Sequence, residues 1–227
     1  MILITGASRG IGKFLLKKFI DSGEKVFGTF NQTQPEDEFS ELLTKVDITD
    51  ISQINVWLEM VLKESKNITL LNCAGSNYNS FAHKSDIEKW KAVIETNLIG
   101  SFNMISQVLP IMREENFGRI INFSSVVAES GIPGTSAYAA SKAGLWGMTR
   151  AIAVENAKKG ITINNLNLGY FDVGMIKEVP QEYQEIIKAK IPVGKFGNPE
   201  NIWKAVNYII ESDYLTGTSV DINGGLY

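Results

Sequence analysis

The sequence predicts an α/β fold: a single domain over residues 1–227, built on a doubly wound parallel sheet of about seven strands with helices on both faces. Three observations carry this reading. Short apolar runs such as Met1–Ile4, Ile68–Leu71 and Arg119–Phe123 alternate with longer stretches of apolar residues at helical spacing, the order that builds βαβ units. The first run passes straight into a glycine-rich turn and a helix. The run at 119–123 ends in Ser124 and Ser125, two hydroxyls at what reads as the exposed tip of a buried strand.

Composition narrows the class. A chain of 227 residues with 44% hydrophobic and 21% charged content is that of a soluble globular protein able to bury a large core. A net charge of −3 gives no electrostatic reason to expect nucleic acid as a partner. No apolar run reaches the length of a membrane span, and the N-terminus carries no basic segment followed by an apolar one, so a cytoplasmic location without membrane association is expected. The lone cysteine, Cys73, cannot close an internal disulfide, which suits a reducing compartment. The lone histidine, His83, has no Cys cluster for company, so no metal site is expected and His83 reads as a surface residue.

Along the chain, Met1–Thr5 is the first strand, followed by Gly6, Ser8, Arg9, Gly10, Ile11 and Gly12, then an amphipathic helix through Phe14, Leu15, Leu16, Phe19 and Ile20 to Gly23. Strand, glycine turn and helix together make a dinucleotide phosphate site. Glycines let the backbone approach a pyrophosphate, and the helix N-terminus supplies N–H groups and positive potential. Three glycines alone have a tight βα turn as their lesser alternative; placed after Thr5 at the first βα junction they are a strong signal. The second strand, Lys25–Phe30, is followed by Asn31 and Gln32, with no acid before Glu36 to bond a ribose 2′-hydroxyl. After Val46, either Asp47 or Thr49 is expected to cap a helix whose apolar face holds Ile51, Ile54, Trp57, Leu58 and Val61. The fourth strand leads into Asn72-Cys73-Ala74-Gly75, where Cys73 reads as a small buried filler. Asp86 is expected to cap a long helical region with Ile87, Trp90, Val93, Ile94, Leu98, Phe102, Ile105 and Leu109 on its apolar face.

The chemistry centres on Ser125, Tyr138 and Lys142. Gly131, Pro133 and Gly134 punctuate a loop, after which a helix from about 137 to 157 begins. Tyr138 and Lys142 stand four apart, so they share one face of that helix. Such a pair is ordinarily just a surface pair; here a strand-end serine converges on it. A phenol is a poor base at neutral pH, and a nearby ammonium is expected to lower its pKa into a range useful for general acid–base work.

With these residues the chain resembles the short-chain dehydrogenase/reductase family over essentially its whole length, and within it the 3-oxoacyl-carrier-protein reductases. The resemblance rests on Thr5-Gly6-x-x-x-Gly10-x-Gly12, Asn72-x-Ala74-Gly75, and Ser125 followed by Tyr138-x-x-x-Lys142. It implies a Rossmann-like fold and carbonyl–alcohol interconversion by hydride transfer. Tyr138 is implied as proton donor, Ser125 as holder of the reacting oxygen, and Lys142 as ribose ligand and tuner of Tyr138. Asn97, in Glu95-Thr96-Asn97, is implied as a kink in its helix and holder of a relay water. The adenosine end is implied to lie against Asp47, Ile48, Asn72, Ala74 and Gly75. Arg9 with Asn31 is implied to take a 2′-phosphate, giving NADP(H) preference over NAD(H), although Arg9 could be a solvated loop charge. A homodimer or homotetramer is implied as well.

Two departures bear on function. Relatives continue the sixth strand with Pro-Gly and place a Thr further on that bonds the nicotinamide carboxamide; here Leu168-Gly169-Tyr170-Phe171-Asp172-Val173 replaces both. The Phe171 backbone is left to meet the carboxamide beside Gly169. Residues 175–195 are expected to form a mobile helical lid bounded by Pro180 and Pro192, with Tyr170, Met175, Ile176 and Tyr183 lining the pocket. The substrate is then a 3-oxoacyl thioester on a carrier or, since Glu114 and Glu115 would repel an acidic carrier despite Lys159, a free small molecule such as a sugar or sugar nucleotide. A nucleotide-binding regulator or scaffold with little turnover is a further alternative.

Overall fold

The computed structural model describes residues 1–62 and 67–226. Seven parallel strands form one sheet: β1 (Ile2–Thr5), β2 (Val26–Phe30), β3 (Leu43–Lys45), β4 (Thr69–Asn72), β5 (Gly118–Ser125), β6 (Ile161–Leu168) and β7 (Ser219–Ile222). Their spatial order, β3-β2-β1-β4-β5-β6-β7, reverses direction between β1 and β4. At such a switch point the connections leave to opposite faces and a crevice opens at the carboxyl ends of the strands.

Period-two burial builds two cores. Ile2 and Ile4 of β1 face the layer made by α1 (Gly10–Asp21) and α7 (Pro199–Glu211), where Leu15, Leu16, Phe19, Ile202, Val206 and Ile209 are buried. Leu3 between them faces α2 (Ile51–Val61), α4 (Gly100–Glu115) and α5 (Ser136–Asn156), through Trp57, Leu58, Met104, Ile105, Met112 and Ile152. Strands covered on both faces read as continuous apolar runs, which is why they stand out in the sequence.

Some details differ from expectation. Asp50, and neither Asp47 nor Thr49, caps α2: its carboxylate accepts from Ser52 and Gln53 N–H. Asp47 instead accepts from the N–H and hydroxyl of Thr49 at 2.9 and 2.8 Å, closing a turn before the cap. Ile51 lies just after the cap and is exposed. The long helix after Asp86 is two helices, α3 (Ile87–Ile94) and α4, joined by a π turn over Glu95–Ile99. Such a turn inserts a residue and rotates the helix beyond it, so a stripe extrapolated across it fails. Phe102 is exposed while Ser101, Asn103 and Met104 are buried, and Ile87 at the outer end is exposed too. The segment expected as a helical lid is likewise divided: a 3-10 turn at Gly174–Glu178, then α6 (Gln181–Lys190). Val179 and Ile191, each preceding a proline, are extended, as the proline ring requires.

Candidate active site

The crevice floor is built from the turn after β1 and the segment after β4. Gly6 has φ +65°, and a Cβ there would meet the Ala74 backbone at 2.7 Å; a Cβ on Gly12 would meet the Gly6 carbonyl at 2.3 Å. Thr5 ties the two turns together, its hydroxyl accepting from the Ala74 N–H at 3.0 Å. Arg9 takes the N-cap position of α1 without a side-chain cap, which leaves the helix N-terminal N–H groups to a ligand. This cradle fits a dinucleotide pyrophosphate, and Gly6, Ser8, Gly10, Ile11 and Gly12 border it.

Around it the other sequence-predicted positions sort themselves by burial. Asn31 is exposed just beyond β2. Asp47 follows β3, half-buried, but the Ile48 side chain is core, packed where a Cβ on Gly100 would lie 2.7 Å away, and its carbonyl accepts from Asn103 at 3.1 Å. Asn72, implied at the adenosine end, is buried with its amide turned into the sheet. Its amide donates to Asn122 Oδ1 at 2.9 Å, starting a row of register partners across β4 to β7. Asn122 donates to Thr149 at 3.0 Å, Thr149 to Asn165 at 2.8 Å, and Asn165 to Ser219 at 3.2 Å. Buried polar groups demand such partners, and the row keys α5 to the sheet.

The residues singled out for chemistry converge at the tip of β5. Ser125 ends the strand, its hydroxyl accepting from the Val127 N–H at 3.3 Å and lying near enough to Tyr138 to favour the phenolate. Lys142, one helical turn on, is buried and donates to the Phe123 carbonyl at 2.7 Å. Ser124 fixes α5 to the strand by donating to the Lys142 carbonyl at 3.2 Å and accepting from Trp146 Nε1 at 3.0 Å. Asn97 lies inside the π turn, fully buried, with its amide donating to Ser76 O at 2.9 Å and Ser141 Oγ at 3.0 Å and its oxygen accepting from Ser76 N–H at 2.8 Å. A Cβ on Gly75 would lie 3.4 Å from Asn97 Oδ1 and 3.7 Å from Lys142 Nζ, so this glycine forms the floor beneath both.

Electrostatics corrects one expectation. Tyr138 is not drawn down by Lys142; burial pushes its phenol up to about 12, against the opposing influence of the nearby Ser125 hydroxyl. The Lys142 ammonium lies 5.6 Å from the Tyr138 ring centroid and is spent on the Phe123 carbonyl, while burial lowers it to about 8. With that value Tyr138 rests as a protonated phenol in the neutral range, able to donate its proton. Cys73 packs beside this group, and burial pushes its thiol far up, as suits an inert filler.

On the opposite wall, Leu168 continues β6 as its last buried residue, opposite Ser125. Gly169 donates to the Ile222 carbonyl at 2.9 Å, and Phe171 is buried against Gly197, its carbonyl accepting from Val173 N–H at 2.7 Å. Of the Phe171 backbone groups expected to meet a carboxamide, the carbonyl already accepts this one bond. Val173 packs partly into the core and offers no hydroxyl. Tyr170 is half-buried and electrostatically coupled to Tyr138, its phenol raised by burial. Met175 and Tyr183 are exposed, whereas Ile176, expected in the pocket, is core. His83 is exposed and stacks loosely on Phe81. The partners Ser76, Ser141 and Phe123 O escaped the sequence, because serines and backbone carbonyls carry no pattern of their own. So did Glu178, whose carboxylate pairs with Arg9 at 2.9 Å.

Known proteins fit this geometry. A family model described as short chain dehydrogenase matches residues 1–184. An acetoacetyl-CoA reductase of Shinella zoogloeoides is 36% identical, covering 99% of this chain and 97% of its own. A 3-oxoacyl-(acyl-carrier-protein) reductase of Thermotoga maritima is 37% identical over 99% and 96%. A solved candidate gluconate dehydrogenase of Agrobacterium tumefaciens superposes with a TM-score of 0.90 at 25% identity, covering 100% of this chain and 95% of that one. The chain belongs to the short-chain dehydrogenase family and is an oxidoreductase acting between an alcohol and a carbonyl.

Proposed function

We propose that this protein reduces the 3-oxo group of an acyl thioester with NADPH. The observation that carries this reading is the convergence of Ser125, Tyr138 and the buried Lys142 at the tip of β5, beside the glycine cradle. The glycine cradle and the α1 N-terminus would hold a nicotinamide dinucleotide, which would supply the hydride when bound. Ser125 holds the carbonyl oxygen, Tyr138 gives that oxygen its proton, Lys142 ties the Tyr138 helix to β5 and stands beside the ring, and Asn97 fixes Ser76 and Ser141 around it. Arg9 and Asn31 flank the adenosine end, and no acid directly follows β2 at Asn31–Gln32 to bond a ribose 2′-hydroxyl, which supports NADP(H) over NAD(H). Ser8, Asp47, Ala74 and Gly75 border the same cofactor, and Tyr170 and Met175 the substrate. The thioester follows from the names of the acetoacetyl-CoA and 3-oxoacyl reductases that resemble the whole chain.

Of the two thioester forms, a free one suits the surface better. Arg113, Glu114, Asn116 and Lys159 line one groove at the end of α4, and Arg113 is already bonded to Asn156 at 2.7 Å. With Glu114 and Glu115 beside it, that face has no net positive charge to attract an acidic carrier. A hydroxylated small molecule is the second reading, favoured by the likeness to the Agrobacterium structure. The exposed Phe102 and Val154 on α4 and α5 support self-association. The deciding experiment measures NADPH and NADH binding, then turnover of acetoacetyl-CoA, acetoacetyl-carrier protein and keto-sugars. Turnover of acetoacetyl-CoA with NADPH is expected. Turnover of keto-sugars alone replaces the thioester reading, and binding without turnover of any carbonyl makes the protein a nucleotide-binding regulator.

A further inference from the structure

Among the described residues, the rim of the cofactor crevice carries Lys13 and Arg9, and each is already held by a carboxylate. Lys13, in the first turn of α1, pairs with Glu36. Arg9 pairs with Glu178 across 169 residues of sequence at 2.9 Å. The second pair is placed by more than chance contact of long side chains. A Cβ built on Gly10 would lie 3.3 Å from Gly174 Cα, so the turn that carries Glu178 sits directly on the phosphate turn that carries Arg9. Gly10 and Gly174 both have positive φ, +58° and +71°, and two side-chain-free residues permit this approach. Ile176, between them and Glu178, is buried and anchors the base of the turn. Lys177 does not compete for Glu178, because it pairs with Asp172 within its own segment.

From this arrangement we infer that Glu178 is an internal competitor for the cofactor's 2′-phosphate at Arg9, so that the same phosphate selects the cofactor and releases the 174–190 segment. The inference rests on the reading of Arg9 as a 2′-phosphate ligand. A phosphate reaching Arg9 competes with the Glu178 carboxylate for the NH1 donor and repels it, since both are anions. NAD(H), lacking that phosphate, leaves the Arg9–Glu178 pair closed. Both partners are more than half exposed, so the competition is modest in size.

Glu178→Gln keeps the shape and removes the charge. It is expected to tighten NADPH binding about two- to five-fold and leave NADH binding unchanged, the size of an exposed ion pair. The same contrast is expected between adenosine 2′,5′-bisphosphate and AMP, which probe the adenosine end alone. Amide hydrogen exchange over 174–190 in the parent should rise with NADPH relative to NADH, and that difference should vanish in Glu178→Gln. Equal shifts for both cofactors, no shift for either, or identical exchange with both cofactors overturns the inference. A parent that binds NADH as tightly as NADPH strikes the proposed cofactor preference alone; a selective effect of Glu178→Gln on NADPH would still uphold Glu178 as the competitor.

Discussion

Around Tyr138 the chain is buried and bonded to the sheet, whereas the facing 174–190 segment is held by exposed ion pairs and the burial of Ile176. Asn97, Ser124 and Lys142 together make six side-chain or backbone hydrogen bonds to Ser76, Ser141, Phe123, Trp146 and the α5 backbone. Arg9–Glu178, Lys177–Asp172 and Lys188–Glu185 are solvent-facing by comparison, and Met175, Tyr183 and Ile186 project into solvent. The contrast separates two tasks. A proton donor must be rigid and of fixed charge, which burial supplies; a wall that admits substrate must be cheap to move, and exposed pairs worth less than about 1 kcal/mol each allow that.

Changes on the rigid side should be the more costly. Tyr138→Phe removes the proton and is expected to lower turnover by about 10²–10⁴-fold while cofactor binding, measured by calorimetry, is retained. Full turnover by this variant would mean another acid. Asn97→Ala strips the partner from the Ser76 N–H and carbonyl; unfolding in urea should show a loss of about 1–3 kcal/mol together with reduced turnover. Stability unchanged would place the π turn's hold elsewhere.

Lys142 sharpens the contrast through pH. Burial lowers it to about 8, so carbonyl reduction should fall as pH rises through that value and the ammonium is lost. The effect on stability has the opposite sign. Between about 8 and the ordinary lysine value of 10.5 the unfolded chain binds more protons than the folded one, so the stability cost of burying Lys142 is complete below pH 8 and fades above it. Lys142→Met should therefore show its most favourable stability relative to the parent below pH 8, with the difference drifting toward the parent by pH 10.5 in denaturant titrations. A pH-independent difference would mean that the lysine is not buried as a cation.

On the movable side, Val173→Thr restores a hydroxyl beside the nicotinamide end and is expected to tighten cofactor binding by about 1 kcal/mol, roughly five-fold. No change would show that the Val173 position does not face the carboxamide. The smallest stability effect should come from Tyr183→Ala: within about 0.5 kcal/mol by thermal unfolding, with any kinetic change confined to KM. A fall in turnover at saturating substrate would bring Tyr183 into the rigid side of the site.

The sequence by itself determined the parallel sheet, because strands covered on both faces must be apolar throughout and the intervening helices must carry a 3.6-residue stripe. It also determined the glycine turn, since Gly6 and Gly12 sit where backbone atoms leave no room for a Cβ, and the Tyr138–Lys142 helix face, since i and i+4 are neighbours on any helix. What it left open depends on atoms far apart in the chain. The π turn that buries Asn97 cannot be read from periodicity, because it is an interruption of periodicity. Which way Tyr138 titrates depended on how deeply α5 packs against β5, and burial there outweighs a neighbouring ammonium occupied by the Phe123 carbonyl. The pairing of Arg9 with Glu178 belongs wholly to tertiary structure: only the meeting of two glycine turns, 164 residues apart from Gly10 to Gly174, brings that carboxylate to the cofactor rim.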